Sequence, residues 1–137
     1  MQLNVEELIN NFALFDDWED RYGYLIELGK KLPPMDNALK TEQSLVNGCT
    51  SNVWLVSRVD DEGIYHFIGD SDSHIVKGLV AILLCVYQGK TSDQIMQVDI
   101  KSIFDQLGLS EHLSPNRRNG FFSMVERVRG VGGGLPA

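Results

Sequence analysis

NVWLVSRVDDEGIYHFIGDSDSHIVKGLVAILLCVYQG (residues 52–89) changes its hydrophobic period partway along, and that change decides the fold. Residues 52–59 and 64–68 are rich in β-branched and aromatic side chains, and DDEG joins them with Gly63 as the turn residue. That pattern predicts a β-hairpin. From Ser73 to Gln88 the period becomes helical. Ile75, Leu79, Ile82, Leu83 and Val86 share one face, and Val76, Val80, Leu84 and Tyr87 widen it. His74, Gly78, Ala81, Cys85 and Gln88 form the remaining stripe. A helix this apolar around its girth belongs at the centre of a domain, with Gly89 to close it. A short antiparallel sheet cannot stand alone and needs such a helix as its cover.

Working outward, Asn4 is a candidate N-cap for a first helix carrying Val5, Leu8, Ile9 and Phe12 at helical spacing. A second helix is expected over about 16–28, with Trp18, Tyr22, Leu25 and Ile26 as its stripe. Asp16, Asp17, Glu19 and Asp20 suit its positive end, and Gly29 offers a stop. KLPPMDNALKTEQSLV (31–46) is a proline-marked connector whose last three residues offer a third strand. After the central helix, Thr91 and Gln94 have capping-box spacing. DIKSIFDQLGL (99–109) gives another helix through Ile100, Ile103, Phe104 and Leu107. Ser114-Pro115 starts a last one carrying Phe121, Val125 and Val128. The expected fold class is α+β: a small antiparallel sheet of two to three strands packed against several helices. Residues 1–130 form one domain in this reading, and 131–137 a flexible glycine-rich tail.

The 137 residues suffice for one domain with its own core, and 43% hydrophobic with 23% charged residues is an ordinary globular balance. A net charge of −7 argues against nucleic acid as a partner. The longest apolar run is interrupted by Lys77 and Gly78, too short for a membrane span. MQLNVEELINNF shows no basic region before an apolar block, so a cytoplasmic protein is expected, with both cysteines reduced.

The two cysteines differ in context. Cys85 lies mid-helix in line with Gly78 and Ala81, where a thiol serves as small, inert packing. Cys49 follows the tight-turn pair Asn47-Gly48 and precedes polar Thr50, Ser51 and Asn52, so it sits on a loop at the lip of a strand. There a thiolate can act as nucleophile or sulfur acceptor, or the residue can be a loop cysteine of no consequence. Neither His66, His74 nor His112 has a spacing that marks a catalytic dyad with it. No CxxC or HxxxH holds a metal, and no glycine-rich phosphate loop is present.

VNGCTSNVWLV, GDSDSHIVKGLVAIL and LSPNRRNGF occur in that order, and on them the chain resembles the SufE family of sulfur-acceptor proteins. The resemblance runs from WEDRYGYLIELGKKLP to about Arg129, and WEDRY, LGKKLP and GKT lean towards its CsdE-like branch. It implies an α+β fold like that of the IscU scaffolds. It also implies that Cys49 accepts persulfide sulfur from a cysteine desulfurase of the SufS/CsdA type, which the acceptor stimulates. The sulfur then passes to a downstream acceptor or scaffold protein, towards iron–sulfur cluster assembly. No cofactor of its own is implied, since pyridoxal phosphate (PLP) belongs to the desulfurase. Gly48 supplies loop freedom, while Asp72 in GDSD and Arg117 in SPNRRNG match family positions that support the site or the partner. Arg118 and the glycine-rich tail depart from the pattern. An IscU-like metal or cluster scaffold, a stand-alone thiol enzyme, a pure binding module and a homodimer remain open on the residues alone.

Overall fold

The computed structural model describes residues 4–132. Strands β1 (Val53–Val59) and β2 (Tyr65–Ser71) pair antiparallel without a bulge, from Val53 opposite Ser71 to Val59 opposite Tyr65. Their turn closes through Gly63 at φ 80° and through Asp60, whose carboxylate accepts from the amides of Glu62 (2.9 Å) and Ile64 (3.0 Å). The third strand offered by residues 44–46 shrinks to one bridge, Leu45 to Trp54. The Val46 amide donates to the Val53 carbonyl and the Leu55 amide to the Ser44 carbonyl, both at 2.8 Å.

β2 runs three residues beyond its expected end at Ile68, through GDS. Two contacts make these residues fit a strand. Gly69 lies under Val80, whose Cγ1 would be 2.7 Å from any added Cβ. Asp70 is buried but paired with Lys40 at 3.0 Å and Lys77 at 3.4 Å. Burial alone would raise the Asp70 pKa. The Lys40 bond, the Ser71 amide and the charges of Lys77 and Lys40 outweigh burial and hold the carboxyl below its ordinary value.

The helices are α1 (Val5–Ala13), α2 (Trp18–Lys30), α3 (His74–Tyr87), α4 (Ser92–Gln97), α5 (Ile100–Gln106), α6 (Leu109–His112) and α7 (Pro115–Gly132). Asn4, Asp17, Ser73, Thr91 and Asp99 cap the first five through side-chain oxygens, and Thr91 with Gln94 completes the capping box. Ser114 Oγ accepts from the Arg117 amide at 3.3 Å and starts α7 as expected.

α3 is the central helix. Leu79, Val80, Leu83 and Val86 are fully buried and share one core with Val53, Leu55 and Phe67 of the sheet. Gly29 does not stop α2. It is buried inside the helix, where an added Cβ would lie 2.8 Å from the Gly78 amide nitrogen, and a Cβ on Gly78 would strike the Leu25 carbonyl. The two glycines exist for this close crossing of α2 on α3. α7 runs to Gly132, two residues past the expected 1–130 boundary, and the rest of the expected tail lies outside the described residues.

Candidate functional site

The loop between Val46 and Val53 owes its shape to Gly48 and to α7. Gly48 takes φ 90°, a left-handed conformation that favours glycine, and a Cβ there would sit 2.6 Å from Ser123 Oγ on α7. The turn delivers Cys49 against the same helix. Its Sγ is half-buried and donates to the Gly120 carbonyl at 3.5 Å, and the side chain packs on the edge of the core. A cleft of about 380 Å³ opens beside it, lined by Cys49, Ser51, Val76, Arg117 and Met124 among others.

Burial pushes the Cys49 pKa above the ordinary thiol value, and no neighbouring charge opposes it. Arg117 is exposed and lines the cleft. Burial therefore favours the protonated thiol in the free chain. Arg118 turns away, donating to the Ser110 carbonyl at 3.0 Å and tying α7 to α6.

Asp72 is exposed and does not cap α3, since Ser73 does. Instead it grips the far end of the loop. Its Oδ1 accepts from the Asn52 amide (3.2 Å), and its own amide donates to the Asn52 carbonyl (3.3 Å). Ser71 Oγ donates to that carbonyl as well, at 2.7 Å. The near end is held by Arg127 of α7, which donates to the carbonyls of Leu45 (3.1 Å) and Gln43. Its Nε is buried with no acceptor among the described residues. The loop is therefore pinned at both roots, with Gly48 in a left-handed conformation between them. Sequence reasoning missed Ser71, Asp70 and Arg127. The polar run GDSDS inside a strand was a signal for the first two, whereas Arg127 meets Leu45 across 82 residues and carries none.

The other candidates lie elsewhere. His66 Nε2 pairs with Asp60 at 2.9 Å in the hairpin turn, and His112 stacks on Trp18 with ring centroids 4.0 Å apart. No histidine lines the Cys49 cleft, so a base for a thiol hydrolase is not at hand. Among the described residues no three His, Cys, Asp or Glu side chains converge as metal ligands. Cys85 is half-buried on α3, beside Leu32, Pro33 and Phe67. Burial first, then the charge of Glu7, pushes its pKa up to about 11, which suits inert packing. Among the described residues no helix is long and apolar enough to cross a membrane.

With this geometry in place, the comparisons with known proteins bear on it. The family model described as "SufE: Fe-S metabolism associated domain" matches residues 6–131. An uncharacterized SufE-like protein of Rhizobium meliloti is 45% identical over 138 residues, covering 98% of this chain and 99% of its own. Another, of Rhizobium etli, is 47% identical over 129 residues, covering 92% and 87%. Among solved structures, a hypothetical protein from Thermus thermophilus matches with a TM-score of 0.76 over 95% of this chain and 93% of that one. At 19% identity that likeness concerns the fold alone.

Proposed function

Because the chain belongs to the SufE family of Fe–S metabolism proteins, we propose that Cys49 takes sulfane sulfur from the persulfide of a cysteine desulfurase and hands it on. The observation that carries this reading is the seat of Cys49: a single thiol, half-buried under Gly120 at the edge of a cleft and one residue past a left-handed glycine.

The reaction balances without a cofactor held by this chain. Cys49 sulfur, as thiolate, attacks the terminal sulfur of the donor persulfide. A new sulfur–sulfur bond forms, the donor's sulfur–sulfur bond breaks, and the inner donor sulfur leaves with the electron pair. The proton given up by Cys49 ends on that leaving thiolate. Carbon–sulfur cleavage belongs to the donor and its own PLP, and removal of the product from the donor stimulates its next turnover.

Two features of the site serve this exchange. Protonation of the buried thiol keeps Cys49 quiet towards small electrophiles until a partner arrives. Rotation at Gly48 then carries the thiol out of its seat, while Asn52 and Leu45 keep the loop roots in register. Arg117 in the cleft lining and Asp72 at the far root of the loop both stand exposed, where a docking desulfurase meets them and where charge brought by the partner can ionise the thiol. The same persulfide is then open to a downstream acceptor or scaffold protein in the reducing cytoplasm.

The test is peptide mass spectrometry after mixing the chain with a purified cysteine desulfurase and free cysteine. One added sulfur atom is expected on the peptide holding Cys49, retained in Cys85→Ser and absent in Cys49→Ser. Label on Cys85, or none on either cysteine, contradicts the proposal.

A further inference from the structure

The two edges of the sheet are closed to different degrees. On β2, the Tyr65 amide donates to the Lys90 carbonyl (2.8 Å), and the Tyr65 carbonyl accepts from the Gly89 amide (3.0 Å). Phe67 is closed by the Gln88 side chain, which accepts from its amide at 2.6 Å and donates to its carbonyl at 2.8 Å. On β1, alternate residues bond β2 and the ones between face outward. Val53 and Leu55 face outward and are taken by Val46 and Ser44. The same alternation turns the main-chain groups of Ser57 and Val59 outward, and among the described residues no hydrogen bond closes them.

Exposed edges are ordinarily blunted by proline, a bulge or several charges. β1 has neither proline nor bulge, and Arg58 is its one charge. Val59 stays 53% exposed. A groove of about 220 Å³ follows the edge, lined by Leu39, Ser44, Leu55, Val56, Ser57 and Arg127.

We propose that this edge accepts an extended, acidic segment of another protein as an added strand, bonded to Ser57 and Val59. The added strand extends the line of residues 44–46 beyond Ser44, where the chain itself comes in sideways through the Thr41–Ser44 turn. Charge selects the occupant. Arg58 is exposed and has no ion-pair partner among the described residues, so the position opposite it calls for a carboxylate. Alternation along the incoming strand then offers apolar side chains to the groove. A second copy of this chain fits poorly. Antiparallel pairing through both free residues, Ser57 against Val59 of the copy, sets the two Arg58 guanidiniums directly opposite each other. The inference does not depend on the chemistry of Cys49.

The experiment is an NMR titration of the isotope-labelled full chain with an end-blocked pentapeptide of alternating valine and threonine around a central glutamate. The Ser57 and Val59 amides should shift saturably to hydrogen-bonded positions and exchange more slowly, while the Phe67 amide stays put. Arg58→Glu should weaken this peptide about tenfold and favour its lysine-centred counterpart. Ser57→Pro should abolish binding yet keep the hairpin, because the Ser57 amide is not in the β1–β2 ladder. If that variant does not fold, the charge reversal at Arg58 decides alone. Failure of Ser57 and Val59 to respond, or equal binding of both peptides by the parent, overturns the proposal. So does a concentration-dependent dimer of the parent held by this edge.

Discussion

Replacing Gly48 with alanine tests the hinge directly. A side chain at φ 90° costs about 1–2 kcal/mol in backbone strain. The new Cβ would also lie 2.6 Å from Ser123 Oγ, which must rotate away and give up its 3.0 Å bond to the Asn119 carbonyl. That bond is exposed, so its loss sits at the low end of about 0.5–1.5 kcal/mol. Together the penalty is roughly 2 kcal/mol, and it falls only on the docked loop. The chain can absorb it as lost stability or escape it by releasing the loop, whichever costs less. Urea unfolding and the alkylation rate of Cys49, followed together, separate the two. The expected result is a stability loss of up to roughly 2 kcal/mol, with alkylation faster by up to about thirtyfold as the seat opens. Adding Ser123→Ala should recover the contact portion and leave the strain. If Gly48→Ala matches the parent in both stability and alkylation, the account of the hinge is wrong.

Other consequences can be measured on the same preparations. Asp70→Asn removes charge-assisted contacts to Lys40 and Lys77 from a nearly buried site and should cost about 1.5–3 kcal/mol in urea at neutral pH. Because the Asp70 pKa is lowered by folding, its stabilisation is present above the ordinary aspartate value and lost as pH falls through the folded one. Parent and variant should therefore converge in acid. Gly78→Ala presses a methyl onto the backbone of Leu25 and should lower stability by about 1–3 kcal/mol in thermal melts. Gly23→Ala, with nothing within 4 Å on an exposed helix face, should raise it by about 0.5–1 kcal/mol. The alkylation rate of Cys49 should rise with pH along a curve centred above that of an ordinary thiol, and urea should move it back. The sign for stability follows: the contribution of the buried thiol is present below the unfolded pKa and lost as pH rises through the folded one.

Local chemistry was legible along most of the chain. Asn4, Ser73, Thr91 and Ser114 announced their helix starts, because a capping oxygen and its amide lie three residues apart in sequence. The hairpin and the central helix were legible through their periods. What failed depended on distant partners. Gly29 looked like a helix stop because the reason for a glycine there is Gly78, on another helix. The expected strand ended at Ile68, short of GDS, because burying Asp70 in a strand needs lysines from the connector and from α3 to neutralise it. The third strand failed because the Thr41–Ser44 turn before it and the turn at Gly48 after it leave room for one bridge. At the site, Cys49 and Arg117 line one cleft, and Gly48 before Cys49 lies against Ser123 of α7. The resting seat of the loop was not legible, because it depends on contact with α7, where Gly120 lies 71 residues further along the chain.

A single-turnover transfer asks the central question most directly. A desulfurase is first loaded with persulfide, freed of cysteine, and then mixed with an excess of this chain while intact masses are read over time. The account predicts that each sulfur atom lost from the donor appears on Cys49 in equal amount. Sulfur that stays on the donor, or escapes as sulfide without passing through Cys49, would contradict it.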